Sequence, residues 1–405
     1  MLGRIVLLVA LAVTLTGTAI AVAAGAPTHV GWSLEAQYSH VTLDSISCQS
    51  ASSCTAVGSV DRSATAGLGD AASTQITDTH GVKASRVQRI TAPRGAVDSA
   101  LNGVSCLNGI CRAVGAYTHF VGGRLIIRSL AVVSRSGGRW RTLEHPAPDV
   151  TTHYPSSVLV DISCPTVRFC VAVGHIGAID FGYYPVVLVY HGQKGRWQHV
   201  PLFPGKVFQH RTLSYGGLSC SAAYACMVVG TYNPPGGAKS QVFSTRFREH
   251  WRIVRISTPA RYDVSVGGVS CVAPTHCVVV GQYGHPGPAY PFLVRSHPFV
   301  RTYDGAWGPI HALPVPAGAT GAVLTDVKCP KLRSCVAVGA ATRSGVPIAP
   351  LSYRLQHGAW IMQHPPTSDP SKHPYLTAVS CPTLSSCVAV GVYDSDSGSF
   401  IERLG

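Results

Sequence analysis

Fourteen cysteines recur along the chain as seven close pairs, and none is left over. In each repeat Ser-Cys is followed by four or five residues, a second Cys, three residues ending in Val, and Gly; Lys328 replaces the serine in the sixth repeat. Successive first cysteines lie 51 to 58 residues apart. A repeat this regular predicts a series of similar structural units rather than one irregular core.

The two cysteines of each repeat are predicted to form a local disulfide. An even count at close spacing fits an oxidising compartment. Zinc ligand pairs usually stand two to four residues apart, whereas most of these pairs are six apart. The predicted bridges are Cys48–Cys54, Cys106–Cys111, Cys164–Cys170, Cys220–Cys226, Cys271–Cys277, Cys329–Cys335 and Cys381–Cys387.

The pattern within each repeat is that of short β-strands. An apolar residue stands two positions before the first cysteine, turn-forming residues separate the cysteines, and a β-branched run follows the second. A third strand such as 185–190, and a fourth strand led by Trp197 or its equivalents, complete the unit. Four strands in each repeat of this length are typical of a propeller blade. We therefore expect an all-β, seven-bladed β-propeller with four antiparallel strands per blade.

The two ends of the chain complement one another. The last unit stops after its third strand, whereas a Trp-led strand at 30–35 precedes the first unit. Pairing of this N-terminal strand with the last blade would complete that blade and cover an exposed edge. One unit departs from the pattern, with Val82 where Trp is expected. Residues 27–405 are predicted to form this single propeller domain.

Residues 1–26 have the features of a secretory signal peptide. Arg4 precedes an apolar run from Ile5 to Ala24, and small residues offer cleavage sites after Ala23 or Ala26. The expected location is therefore extracellular. The alternative is an uncleaved anchor, because the apolar run is just long enough to span a bilayer.

Basic residues outnumber acidic residues by 32 to 18, although charged residues make up only 12% of the chain. Most of the basic residues are arginines, which favour forked hydrogen bonds to carboxylate, sulfate or phosphate groups. Dispersed arginines in an exported protein do not predict a nucleic-acid partner. We expect a monomer that binds an extracellular glycan or protein, prefers anionic polymers, and has no membrane partner after cleavage.

The Ser-Cys-x5-Cys-x-Ala-Val-Gly repeat resembles that of a class of secreted bacterial repeat proteins regarded as propellers of unknown role. A looser likeness links the chain to sialidase or BNR-repeat propellers, whose Asp-box turn precedes a Trp-led strand. Ser134 to Trp140 and Asp304 to Trp307 occupy that place here, but the full box is absent. The likeness implies a propeller and carries no catalytic residue over to this chain.

Function is expected on the face that carries the long, varied loops between second and third strands and between blades. These loops are rich in Tyr, His, Asp and Arg, which suit stacking on sugars and hydrogen bonding to them. The alternative is that they only cover the mouth of the channel. The predicted ligand-binding residues are Tyr183, Tyr184, His210, Arg211, Tyr215 and Tyr375.

The chain contains no motif that assigns a catalytic residue, a metal or a cofactor. Asp394 and Asp396 resemble the start of a calcium loop, but a third acidic position and the terminal Glu are missing, which favours a polar turn. The Ser-Cys repeats do not match a nucleophile elbow.

Two classes of function remain open on the sequence. The first is a secreted, disulfide-stabilised propeller that acts as a binding or scaffold protein. The second is a polysaccharide hydrolase or lyase with its site at the channel mouth, using a carboxylate pair or His and Tyr. Two convergent carboxylates at the channel mouth would favour the enzyme.

Overall fold

The structure is a computed structural model. It describes residues 31–61, 69–77, 83–84, 87–135, 138–143, 156–178, 182–192, 196–200, 213–232, 241–247, 251–256, 262–285, 294–366, 369–393 and 396–405. The predicted signal peptide lies outside these residues. Within them, no helix is both long and apolar enough to be a membrane span.

The described residues form 29 strands and one short 3-10 turn, Pro370–Lys372. In chain order the strands are β1 (Trp32–Ser39), β2 (Val41–Ser50), β3 (Ser53–Asp61), β4 (Gly69–Thr77), β5 (Lys83–Ala84), β6 (Gln88–Arg89), β7 (Ala96–Leu107), β8 (Ile110–Val121), β9 (Arg124–Arg135), β10 (Arg141–Thr142), β11 (Ser156–Thr166), β12 (Phe169–Ala178), β13 (Gly182–His191), β14 (Arg196–Val200), β15 (Leu213–Ala222), β16 (Ala225–Tyr232), β17 (Gln241–Phe247), β18 (Trp251–Ile256), β19 (Asp263–Ala273), β20 (His276–His285), β21 (Val294–Asp304), β22 (Trp307–Ala312), β23 (Gly321–Lys331), β24 (Ser334–Arg343), β25 (Val346–Gln356), β26 (Ala359–Gln363), β27 (Pro374–Thr383), β28 (Ser386–Tyr393) and β29 (Asp396–Leu404).

The prediction of seven blades with four antiparallel strands each is wrong. In the described part of the chain, six sheets are four-stranded antiparallel blades, and the sheet built on β2, β3 and β4 has five strands. There β5 pairs with the end of β4 through Ile76 and Ala84, whereas β6 pairs further back through Ala72 and Arg89. The departure falls in the unit whose sequence has no Trp to lead a continuous fourth strand.

The N-terminal strand completes the last blade, as its sequence predicts. β1 lies antiparallel to β29, with Trp32 opposite Leu404, in a sheet of order β1-β29-β28-β27. The Trp32 indole N–H also donates to Ser352 Oγ in the preceding sheet at 2.8 Å. Strands from the two ends of the chain therefore share one sheet, which covers the edge of β29.

The seven predicted disulfides are present, each across the hairpin formed by the first two strands of a sheet. Opposite the repeat glycine, each first strand has a β-bulge; Leu43 pairs with Gly58, and Ser45 then pairs with Val57. A Cβ on Gly58 would lie 1.9 Å from Thr42 O. The recurring glycine is therefore required by this close backbone approach.

The first strands of neighbouring sheets are joined by hydrogen bonds between the Ser and Cys of successive repeats. The amides of six of the seven first cysteines donate to the hydroxyl of the serine that precedes the cysteine of the neighbouring unit. The pairs are Cys106 to Ser47 (2.9 Å), Cys164 to Ser105 (3.0 Å), Cys220 to Ser163 (3.0 Å), Cys271 to Ser219 (2.9 Å), Cys329 to Ser270 (3.0 Å) and Cys48 to Ser380 (2.9 Å). The last pair returns to the first repeat. Between the sixth and seventh repeats, where Lys328 replaces the serine, Val379 N donates to Asp326 Oδ2 at 2.9 Å instead. The inner strands thus form a closed ring, which we call the inner ring.

The hydrophobic core lies between the faces of neighbouring sheets. Val41 and Leu43 of β2, for example, pack with Val388, Val390 and Ile401 of the last blade. Alternation along each strand places one set of side chains against the preceding sheet and the other against the following sheet. The strands are therefore apolar on both faces, which accounts for the low content of charged residues.

Glu402 is a buried acid in this core. Its side chain is 0% exposed in β29, opposite Leu34 and Ala389, and neither carboxyl oxygen has a hydrogen-bond partner in the described residues. Burial raises the pKa of Glu402 to about 9. The carboxyl is therefore neutral in the folded protein at pH 7 and ionised in the unfolded chain, which lowers stability.

We predict that Glu402→Gln makes the protein more stable at neutral pH. The parent should lose stability as the pH rises from 4.5 to about 9, because only the folded state keeps the proton. The variant should lack this loss and gain on the order of 3 kcal/mol at pH 7. Melting temperatures of both proteins between pH 4 and 9 measure the effect, with the exposed Asp304→Asn as control. Parallel curves for parent and variant would contradict it.

Candidate functional site at the centre of the ring and its loop edge

The inner ring encloses a polar cavity of about 240 Å³. Its wall includes the bulge residue of each first strand, which stands four positions before the first cysteine. These residues are Asp44, Asn102, Val160, Gly216, Gly267, Thr325 and Thr377. A bulge redirects the extra side chain out of the regular alternation of the strand. These seven residues therefore contribute directly to the chemistry of the cavity.

Several bulge residues donate a hydrogen bond to a backbone carbonyl of the next first strand. Asn102 Nδ2 donates to Leu159 O at 2.7 Å, and Thr325 Oγ1 donates to Leu376 O at 2.7 Å. Thr377 Oγ1 donates to Leu43 O at 3.0 Å. These side chains bind backbone carbonyls of the next first strand, so part of the polar wall already has structural partners.

Two carboxylates in the wall also connect neighbouring strands. Asp161 accepts from its own neighbour Ile162 N at 2.7 Å and from Leu218 N of the next first strand at 2.8 Å. Asp326 makes the same pair of contacts with Val327 N (2.7 Å) and Val379 N (2.9 Å). Both oxygens of each carboxylate therefore accept a backbone amide.

Burial raises the pKa values of both of these carboxyls. The pKa of Asp161 rises to about 7, because desolvation outweighs the amide hydrogen bonds and the charge of Lys328, and the charge of Asp326 adds to the rise. The pKa of Asp326 rises to about 6 for the same main reason. The cavity thus holds acids that titrate near neutral pH, a property that occurs at both structural and catalytic sites.

Asp44 differs from the other polar bulge residues because it has no hydrogen-bond partner among the described residues. Burial raises the pKa of Asp44 to about 6. Asp44 is the equivalent in its repeat of Asn102, whose side chain donates to the next first strand. An ionised carboxylate has no proton to donate, so the acceptor Leu101 O remains without the equivalent bond.

The described residues contain no group of three or more His, Cys, Asp or Glu side chains arranged to hold a metal ion. What the cavity offers is a set of acceptors and hydroxyl groups, with Lys328 as a basic group in its wall. This arrangement suits hydrogen bonding to a small polar molecule.

A cluster of aromatic and imidazole rings lies at the edge of the sheet β19-β20-β21-β22. We use the term loop edge for the edge at which each second strand ends and each third strand begins. Tyr262 lies 5.4 Å from Tyr283 and 5.3 Å from His285, and Tyr283 stacks on His297 at 5.1 Å (ring centroids). Both histidines are exposed and both tyrosines are half-buried. We call these four residues the aromatic cluster.

The structure places two of the sequence-predicted binding residues with described side chains. Tyr215 is half-buried against the cluster that contains Phe169 and Leu218, and burial raises its pKa well above the ordinary value. Tyr375 is half-buried against Val323 and Ala340. They stand on β15 and β27, which are not neighbours in the inner ring.

The remaining predicted residues stay predictions. The backbones of Tyr183 and Tyr184 pair with Gly177 and Ile176 in the sheet of β12 and β13, but their side chains lie outside the described residues. His210 and Arg211 lie outside them entirely. Of the two calcium candidates, Asp394 is outside, and Asp396 is described by its backbone alone, opposite Tyr393.

The cavity acids were not among the residues predicted from the sequence, although the repeat contains a signal for them. The residue two positions before each first cysteine is always apolar, whereas the residues three and four positions before it vary between Gly, Ala, Val, Ser, Thr, Asn and Asp. Variation of this kind inside a constant repeat indicates a position whose side chain leaves the core. The sequence gives no comparable signal for His297 of the aromatic cluster, because this residue lies inside a third strand, away from the repeated Ser-Cys motif.

Comparison with known proteins supports the fold. No protein-family model and no curated protein sequence matches this chain. The solved structure of YCF48 from Cyanidioschyzon merolae is similar with a TM-score of 0.51 at 12% identity, over 92% of this chain and 98% of that chain. This likeness supports a β-propeller fold, and each blade has a disulfide across its first hairpin. The chain is therefore a disulfide-stabilised β-propeller.

Two other similar structures have lower TM-scores. One is a fungal lectin from Aleuria aurantia with a six-bladed β-propeller fold and a fucose recognition mode (TM-score 0.48, 10% identity, 82% of this chain and 99% of that chain). The other is the GH93 α-L-arabinofuranosidase of Fusarium graminearum in complex with arabinobiose (0.47, 12%, 78% and 95%).

We predict that Asp44→Asn stabilises the protein above pH 6. The amide can donate to Leu101 O as Asn102 does to Leu159 O, which should add about 1 kcal/mol. The parent loses stability as the pH rises from 3.8 to about 6, because the folded carboxyl keeps its proton longer than the unfolded one.

Chemical denaturation of parent and variant at pH 4 and pH 7.5 measures this effect. The advantage of the variant should be larger at pH 7.5. The reverse change, Asn102→Asp, serves as control and should destabilise the protein at pH 7.5. If Asp44→Asn is destabilising at both pH values, the position does not face the carbonyl as the repeat implies.

Proposed function

We propose that this protein is an extracellular β-propeller that binds a glycan or cell-wall polymer at its loop edge and acts as a binding or scaffold protein. The observation that carries the proposal is the aromatic cluster at the loop edge, in which both histidines are exposed and both tyrosines are half-buried. Aromatic rings supply flat apolar faces for sugar rings, and phenol and imidazole groups hydrogen-bond to sugar hydroxyls.

The extracellular assignment is supported by the seven disulfides, which are typical of proteins in oxidising compartments. The predicted signal peptide at 1–26 agrees with it. The inner ring and the bridges provide a rigid scaffold, and binding residues on the loops of a rigid scaffold lose little entropy when they bind.

An anionic polymer is the ligand that the charge balance favours. The net charge is +14, or +13 without Arg4 of the leader, and arginine provides most of it. Charge alone would attract any polyanion and would fade as salt shortens the Debye length to about 8 Å at physiological ionic strength. Stacking on the aromatic cluster would add contacts that salt does not screen.

The second candidate is a polysaccharide-active enzyme that uses the cavity. The observation in its favour is the raised pKa of Asp44, Asp161 and Asp326, because a general acid must be protonated near neutral pH. Against it, Asp161 and Asp326 each hold two backbone amides, which leaves Asp44 without a second free carboxyl as partner. We therefore favour binding without turnover.

The test is a panel of sulfated, uronic-acid and phosphate-containing polysaccharides, with neutral dextran for comparison, read for both binding and release of reducing ends at 0.15 M salt. The variants Tyr262→Ala and His285→Ala should each weaken binding about tenfold, because each loses one stacking partner. Tyr224→Ala is the matched control: this tyrosine is 47% exposed and packs on Phe169 and His191, but at the opposite edge.

Equal binding by the cluster variants and the parent would contradict the aromatic cluster as the site. Binding that disappears for all proteins at 0.15 M salt would show attraction by charge alone. Release of reducing ends that Asp44→Asn abolishes would contradict the binding role and support the enzyme.

A further inference from the structure

One hairpin carries an unusual concentration of exposed apolar side chains. Phe120 is 62% exposed, Leu125 57% and Val121 47%, and all three lie at the turn between β8 and β9. They account for three of the seven large hydrophobic residues that are exposed in the described part of the chain. We call residues 120–125 the hairpin tip. An exposed apolar patch of this kind marks an interaction surface.

The hairpin tip is a regular structure rather than a loose loop. Phe120 pairs with Leu125, and Val121 pairs with Arg124. Gly122 and Gly123 both have positive φ angles, 57° and 77°, as a tight two-residue hairpin turn requires. Directly paired residues share a face, so Phe120 and Leu125 lie on one side of the ribbon and Val121 and Arg124 on the other.

The hairpin is basic as well as apolar. Residues 110–135 contain no Asp or Glu, and of their four arginines Arg124 and Arg128 stand towards the turn. Arg124 is exposed at the turn, and Arg128, further along β9, is half-buried. On the adjoining strand β7, the Asp98 carboxylate accepts Gly69 N at 2.8 Å and thus has a structural partner. The hairpin tip therefore presents apolar side chains with positive charge beside them.

We propose that the hairpin tip inserts into the surface of an anionic lipid bilayer and holds the propeller there with its loop edge towards the lipid. The hairpin tip has apolar side chains on both faces, so a partner that covers one face would leave the other exposed to water. The boundary between lipid headgroups and acyl chains surrounds an inserted turn and covers both faces. Arg124 would lie at the level of the headgroups, where anionic lipids attract it. This contact lies on another blade at the same loop edge as the proposed glycan site, and it differs from the sequence expectation of no membrane partner.

The experiment measures co-sedimentation of the full chain with vesicles of phosphatidylglycerol and phosphatidylcholine, and of phosphatidylcholine alone. The double variant Phe120→Ser and Leu125→Ser should bind the anionic vesicles at least about tenfold more weakly than the parent. Arg124→Gln should bind them about fivefold more weakly, with little change on neutral vesicles.

The matched control is the double variant Leu332→Ser and Ile361→Ser, which removes two side chains of similar exposure (54% and 48%) away from the loop edge. It should bind like the parent. Any attraction by the N-terminal apolar segment is the same in all these proteins, so the difference between the two double variants reports the hairpin tip. Because all four positions are exposed, melting temperatures should stay close to that of the parent.

Equal vesicle binding by the tip variant and the control variant would overturn the proposal. So would binding that does not distinguish anionic from neutral vesicles in the parent. If the parent ignores vesicles but self-associates in sedimentation velocity, and the tip variant does not, the hairpin tip is a protein interface instead.

Discussion

The hydrogen bond from the amide of a first cysteine to the serine hydroxyl of the neighbouring repeat, made at six of the seven repeats, is the interaction on which the structure depends. It explains why serine precedes cysteine in the repeat: the disulfide holds the hairpin together, and the serine connects that hairpin to the next. A short side chain with an acceptor oxygen fits between two backbones that lie this close. Lys328 is the one exception, and there the amide of Cys381 has no serine.

The inner ring has a consequence for the cavity that it encloses. Bulges turn side chains towards the centre, and the chain uses most of the polar ones to satisfy backbone groups of the next strand. Asp161 and Asp326 bind amides, and Asn102, Thr325 and Thr377 bind carbonyls. The polar wall of the cavity is thus largely structural, which is why we place binding on the loop edge.

The repeat predicted much of this fold. Cysteine spacing predicted the disulfides, the β-branched runs predicted the strands, and the unpaired strand at the N-terminus predicted its pairing with β29. The repeat did not predict the segment that follows β4. This segment has no Trp and is divided between β5 and β6, so the expected count of four-stranded blades was wrong. The sequence marked the unit that deviates, at Val82, but not how it deviates.

The candidate site was less predictable than the fold. Tyr215 was expected on a binding surface; it stands beside a bulge, half-buried against Leu218 and in the wall of the cavity, and its role in binding stays a prediction. The aromatic cluster combines residues that are distant in sequence, and the pairing of Asp263 with Gly284 and of Tyr283 with His297 brings them together. The exposure of Phe120 and Leu125 depends on how far the β8–β9 hairpin extends, and composition carries no information on that length.

Amide hydrogen exchange at the first cysteine of each repeat tests the role of the inner ring most directly. The account predicts slow exchange at Cys48, Cys106, Cys164, Cys220, Cys271 and Cys329, whose amides donate to serine. The amide of Cys381, opposite Lys328, should exchange at least about tenfold faster. Equal protection at Cys381, or fast exchange at all seven amides, would contradict the claim that serine hydroxyls hold the inner strands together.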